Sequence, residues 1–352
     1  MSKSIPWRAL WRLPLLMLTL VVSLGVAQFA LAQADPDREA ATAVPAVDAD
    51  VWRQIKSGET GPNYRDTRFD SNYNLINASG ETWRMLRDRW VSPFGVIVIV
   101  GMIAVIALFY LVFGRKMLDE PRTGRKLPRW SLMVRSLHWT VATLFILLAL
   151  TGLNLAFGKA IFRPIVGDGV WAAMMSGTKL IHNYLGPLFG ILLVILLVRL
   201  LADNIPRKHD LEWFAKGGGL IGKGHPDAGF ANAGEKVWYW LLATAGIAVI
   251  ISGLVLDFPN YGQGRDTMQW ASIIHAVGAF GLTAVALGHI YIGTLGTEGS
   301  FEAMATGYVD ETWAKEHHNL WYEEVKDQAI PEDQLDLARG SSTDDEPAPR
   351  SG

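Results

Sequence analysis

The chain has 352 residues, 50% of them hydrophobic and 19% charged, with a mean hydropathy of +0.19. Thirty-two basic residues stand against 34 acidic ones, so there is no bulk positive surface for nucleic acid. Cysteine is absent, which excludes disulfides, thiolate-held zinc, iron–sulfur clusters on this chain and covalent attachment of a c-type haem.

Residues 1–32 read as a cleaved signal peptide. Lys3, Arg8 and Arg12 precede an apolar run from Leu13 to Leu31, and Ala30-Leu31-Ala32 supplies small residues for cleavage before Gln33. The rival reading is an uncleaved anchor helix. Both readings put residues 33–92 outside the cytoplasm, as a periplasmic segment. That segment is polar, carries Trp52, Trp83 and Trp90, and is too poor in aliphatic residues to build much core alone. It is expected to pack on the membrane domain or on a partner.

Five apolar stretches follow, near Phe94–Phe113, Leu132–Phe157, Leu180–Leu201, Val237–Leu256 and Ser272–Thr294. Each approaches the ~20 residues that cross a bilayer as a helix. Pro93 suits the first turn of the first. The connection after it carries Arg115, Lys116, Arg122, Arg125, Lys126 and Arg129, and the third carries Arg199, Arg207, Lys208, Lys216 and Lys223. The second and fourth are poor in positive charge. The first and third connections are therefore expected in the cytoplasm, with the C-terminus. Trp130, Trp139, Trp238, Trp240 and Trp270 fall near span ends, where an interfacial belt sits. The tail, residues 295–352, starts with Trp313, Trp321 and Tyr322, which are expected to dock on something, and ends in a Ser-, Asp- and Pro-rich stretch that reads as disordered.

Four histidines lie inside these stretches: His138, His182, His275 and His289. Imidazole is costly in hydrocarbon and marks a functional site. The alternating direction of the spans sorts them by depth, His182 with His275 near the outer face and His138 with His289 near the inner. His275 and His289 are 14 residues apart. That is roughly 1400° of helical rotation, about 40° short of four turns, and roughly 21 Å of rise. One helix face therefore carries a ligand at each level, each to be completed from another helix. This spacing suits two stacked b-type haems with imidazole on both sides of the iron, an arrangement for electron transfer. Gly152, also 14 residues from His138, offers space at the outer level, as do Gly186, Gly190 and Gly278. Arg135, one turn before His138, could pair with haem propionates or serve as a positive-inside anchor. Arg199 invites the same reading. A proton relay or a small metal site is the competing use of the histidines.

With these residues in view, the chain from about Trp130 to Glu323 resembles the gamma subunit of membrane-bound, quinone-linked formate dehydrogenase, a dihaem cytochrome b. The matching stretches are Arg135-Ser136-Leu137-His138-Trp139, Leu180-Ile181-His182 through Pro187-Leu188-Phe189-Gly190, Asn204-Ile205-Pro206 with Asp210, Asn232-Ala233-Gly234-Glu235-Lys236, Ile274-His275-Ala276, His289-Ile290-Tyr291, and Trp313 to His318 with Trp321-Tyr322.

The resemblance implies an all-α membrane protein: a four-helix haem-binding bundle over residues 130–294, to which this chain adds the helix at 93–114. It implies one haem on His182 and His275 and another on His138 and His289, and a quinone site, menaquinone or ubiquinone, at Asn232, Gly234 and His289. From the residues alone, Asn232-Ala233-Gly234 is a turn that starts a helix. The implied partners are a molybdenum or tungsten catalytic subunit that oxidises formate, an iron–sulfur subunit, and membrane lipid; the implied location is a bacterial inner membrane. Electrons moving inward against a membrane negative inside store roughly 2.3 kcal/mol per 100 mV. The alternatives are a dihaem subunit serving another donor, such as a membrane-bound hydrogenase, and a non-redox carrier using the histidines.

Overall fold

The structure is a computed structural model in which residues 78–219 and 225–335 are described. The expected signal sequence, most of the segment 33–92 and the polar end of the tail lie outside them. Among the described residues, five helices are long and apolar enough to cross a membrane: Thr82–Phe113, Leu132–Ile161, Arg163–Leu200, Ala233–Asp257 and Arg265–Gly296. They are spans one to five below.

Pro93 lies in the first turn of the α-helix Ser92–Phe113, as expected, but helical structure precedes it. The helix already runs from Ala78 and passes through a π-helical stretch, Arg87–Val91, into Ser92–Phe113. Proline lacks the N–H that an uninterrupted α-helix would use here, and the wider π turn absorbs that gap. Span three starts far earlier than its apolar run, at Arg163, with a break at Gly167 (φ 78°). Its 38 residues exceed the roughly 20 that cross hydrocarbon, so its first turns project beyond it. Polar residues such as Asp168, Ser176 and Lys179 hide that extension from a search for apolar runs.

Span two packs chiefly on span three, span four on span five, and span five on span one. Val141, Leu144, Leu185, Phe189, Leu193, Leu196, Leu197 and Tyr239 form the core between spans two, three and four. Ile97, Leu111 and Val198 remain 68%, 81% and 71% exposed, as lipid-facing side chains of a bundle do. Spans one and five run parallel: Gly95 meets Phe280, Gly288 meets Met102, and the Phe109 ring sits 6.4 Å from Tyr291. Just beyond both helices, a parallel bridge pairs Lys116 with Thr297.

The bundle is helical as expected, and a small sheet sits beside it. Strand β1 (Arg125–Pro128) in the first connection lies between β2 (Tyr308–Asp310) and β3 (Ile330–Pro331) of the tail, both antiparallel to it. With helices Ser300–Thr306, Glu311–His317 and Asn319–Val325, this sheet makes a cap at one end of the bundle. Leu127, Val309, Trp313, Ala314 and Trp321 are its core. The surface on which the tail tryptophans dock is thus the chain's own first connection. Lys126, buried in the cap, faces Glu302 at 3.2 Å, Glu332 at 3.6 Å and Asp310 at 3.7 Å, which compensates its desolvation.

Arg129 holds the cap to the bundle. Its guanidinium donates to the Phe230 carbonyl at 2.9 Å and lies against the rings of Phe230, Trp313 and Trp321, with Cζ 4.7–5.0 Å from their centroids. Burial lowers its pKa to about 10.

Candidate haem-binding site

The four histidines meet in the two pairs expected. The His182 and His275 ring centroids are 6.0 Å apart, and those of His138 and His289 are 6.3 Å apart. Two imidazoles on opposite sides of one metal need roughly 2 Å for each metal–nitrogen bond and roughly 1 Å from each nitrogen to its ring centre, about 6 Å in all. Both spacings fit a shared metal atom.

The His182–His275 pair is oriented by its surroundings. His275 Nδ1 lies 2.9 Å from the Val249 carbonyl oxygen. A carbonyl only accepts, so Nδ1 carries the proton and Nε2 keeps its lone pair. His182 Nδ1 lies 2.9 Å from Thr151 Oγ1. That hydroxyl already donates to the Leu147 carbonyl at 2.7 Å, so it accepts from the imidazole. Both imidazoles are thereby fixed in the tautomer that leaves Nε2 for a metal, with the supporting hydrogen bond common to ligating histidines. In the other pair, Trp139 meets His138 edge-on at 5.3 Å and Trp238 stacks on His289 at 5.4 Å and 20°. His138 Nδ1 is buried without a protein partner.

Two glycines clear the His182–His275 pair. A Cβ at Gly152 would stand 3.3 Å from the His182 ring, and one at Gly253 would stand 2.9 Å from that of His275. Gly152 was expected at this level. Gly253 has no histidine on its own helix, so no spacing within span four could single it out. The other glycines sort differently. Gly190 and Gly278 allow spans three and five to approach Ile250 and Val249 of span four, and Gly186 has open space. Thus Gly190 and Gly278 serve helix packing.

Arg135 donates from one guanidinium nitrogen to the Thr306 carbonyl at 2.7 Å, at the C-terminal end of helix Ser300–Thr306. That bond ties span two to the cap. Asn232 caps the helix Ala233–Leu241: its side chain accepts from Glu235 N at 2.9 Å, while Glu235 accepts from Asn232 N at 2.9 Å. The helix-start reading is correct for this turn. Gly234 leaves room for the Trp213 ring, which a Cβ would meet at 3.1 Å. Trp238, further along the same helix, is the residue whose ring meets His289.

Apolar spans that set two imidazole pairs at two depths, each pair at metal-sharing distance, define a membrane cytochrome b. Sequence comparison agrees: the prokaryotic cytochrome b561 family profile matches residues 129–307, and the chain belongs to that family. The chain is similar to the nitrate-inducible formate dehydrogenase cytochrome b556(Fdn) subunit of Escherichia coli (strain K12), with 29% identity over 58% of this chain and 93% of the relative. It is also similar to the formate dehydrogenase cytochrome b556 subunit of Haemophilus influenzae, with 30% identity over 58% of this chain and 85% of the relative. A third relative, the cytochrome b556(fdo) subunit from Escherichia coli (strain K12), shares 27% identity over 56% of this chain and 92% of its own length. The family match starts beyond span one.

Proposed function

We propose that this chain is the cytochrome subunit of a formate-oxidising, quinone-reducing complex in a bacterial inner membrane. The single observation carrying this reading is the pair of imidazole couples, 6.0 and 6.3 Å between centroids, that share span five at positions 14 residues apart. The names of the relatives support formate as the donor's substrate. In this reading His182 and His275 hold one b haem and His138 and His289 a second. When bound, the two supply reversible one-electron chemistry between an outer donor and an inner quinone.

The chain's own groups do the rest. Thr151 and the Val249 carbonyl hold the outer imidazoles in the ligating tautomer. Gly152 and Gly253 keep side chains from displacing those rings. The apolar spans exclude water, which tunes the metal through low dielectric. The turn Asn232-Ala233-Gly234, with Trp238 behind it against His289, takes the quinone. C–H chemistry on formate, and the molybdenum or tungsten and iron–sulfur centres it needs, belong to partner subunits. The basic first and third connections support a cytoplasmic cap and C-terminus and a periplasmic N-terminal segment.

The test is haem quantification on purified protein, by the pyridine haemochrome method, with the absorbance of membranes recorded after formate and after hydrogen. Two haems per chain, reduced by formate, are expected. The variant His275→Ala should retain one haem, and His289→Ala should lose the other together with quinone reduction. No b-type α band would remove the redox reading, and reduction by hydrogen but not formate would replace the donor.

A further inference from the structure

Thr151 and Ser252 hold equivalent places in two helical hairpins. Span two packs on span three, and span four on span five. In the first hairpin Thr151-Gly152 of span two meets His182 of span three, and in the second Ser252-Gly253 of span four meets His275 of span five. Each hydroxyl donates to the carbonyl four residues back on its own helix, Thr151 to Leu147 and Ser252 to Ala248, both at 2.7 Å. Each oxygen is left as an acceptor for the imidazole of the next span. Thr151 Oγ1 stands 2.9 Å from His182 Nδ1. Ser252 Oγ stands 3.5 Å from His275 Nδ1, whose closer acceptor is the Val249 carbonyl at 2.9 Å. The glycine after each hydroxyl permits this approach, since a Cβ there would stand 3.3 Å from the His182 ring at Gly152 and 2.9 Å from the His275 ring at Gly253. The other pair is built without this device. His138 and His289 are met by the indoles of Trp139 and Trp238, and His138 Nδ1 is buried with no partner among the described residues.

We propose that the hydroxyl–glycine pairs Thr151-Gly152 and Ser252-Gly253 hold the haem on His182 and His275 at a lower reduction potential than the haem on His138 and His289. This rests on the two-haem reading of the histidines.

The cause is the charge on the ligand. An acceptor at Nδ1–H draws that proton away from the ring, so Nε2 becomes the stronger donor and favours ferric over ferrous iron. Both rings of the His182–His275 pair have such an acceptor. Neither acceptor can reverse the bond: a carbonyl has no proton, and that of Thr151 is already given to Leu147. An imidazole with a bare Nδ1–H, as at His138, is the weaker donor and leaves its iron easier to reduce. No proton is transferred in this scheme. The Nδ1–H bonds persist in both oxidation states, and the one electron that enters from the donor subunit is the one that leaves for the quinone. A lower potential at the first pair than at the second gives the chain a direction of electron flow, from His182 and His275 toward His138 and His289.

The test is an equilibrium redox titration of the purified complex with mediator dyes, following the b-type α band, with haem content measured on the same sample. The parent should titrate in two separate one-electron waves. Thr151→Val removes the acceptor, and we expect a tenfold loss of preference for ferric haem. That raises the lower midpoint by about 59 mV and leaves the upper one in place. Thr151→Ser keeps the hydroxyl and should return the parental midpoint. Ser252→Ala keeps the Val249 bond, and so its haem, and should raise the same midpoint by less. A merely structural role would lower haem content without moving the midpoint of what stays bound. Two haems per chain with both midpoints unmoved in Thr151→Val and Ser252→Ala, or with the upper one moved instead, would overturn the tuning. So would a parent whose two haems titrate as a single wave. Fewer than two haems in the parent would overturn the two-haem reading, and the tuning with it.

Discussion

Thr151 Oγ1 and His182 Nδ1 stand 2.9 Å apart, and the hydroxyl has already spent its proton on the Leu147 carbonyl. The geometry fixes which nitrogen of His182 is free. Thr151→Val keeps the shape of the side chain and removes the acceptor. The expected result is a 10–100-fold weaker hold on the outer haem, the usual cost of losing such a supporting hydrogen bond. Haem content after dilution or mild chaotrope treatment measures it, and the inner haem should be retained.

Gly253→Ala should act on the same haem by another route. Its new Cβ falls 2.9 Å from the His275 ring, tighter than ordinary contact, and the imidazole must turn or shift. We expect loss of roughly half the α-band absorbance. Gly101→Ala, where nothing lies within 4 Å, is the matched control and should leave the spectrum unchanged.

Arg129→Met tests the tie between cap and bundle. The side chain is 1% exposed, and its replacement removes the donor to the Phe230 carbonyl and the contact at His318 Nε2. A loss of about 3 kcal/mol in cap stability is expected, the low end for breaking a buried charged network. Limited proteolysis should then cut within residues 298–331, while both haems remain bound.

These segments were legible in different degrees, and the reasons are physical. An apolar run near twenty residues has few stable fates other than a membrane helix, so the spans stood out. Residues 14 apart on one helix share a face by arithmetic, so the His275–His289 relation was legible as well. Strand β1 was not: Arg125, Lys126, Leu127 and Pro128 have no strand pattern of their own, and their partners lie about 180 residues and more downstream. The same holds for Glu316, whose carboxylate accepts from the backbone of Asp119 and Glu120. Long-range pairing of this kind leaves no local mark.

Acidity should loosen the cap. Desolvation of its ring, and then the nearby His225, Lys116 and Arg129, hold the His317 pKa down to about 4, below its ordinary 6.5. The unfolded cap therefore binds a proton that the folded cap refuses at any pH between those values. Stability is complete above about pH 6.5 and falls as pH drops, with a slope approaching 1.4 kcal/mol per unit until about pH 4. His318, also held well below 6.5, chiefly by burial, adds in the same direction. Protease sensitivity of the tail measured between pH 7.5 and pH 5 should rise, and His317→Gln should flatten that dependence.

Each imidazole couple draws one member from span five, the last of the five described spans to be made. In the two-haem reading, neither porphyrin would have a second axial grip until that segment is threaded beside its elders, and a chain cut short before residue 275 would keep neither chromophore. Colour in the membrane would then report that translation had passed residue 289, a signal arising from nothing more than the order of the spans along the chain.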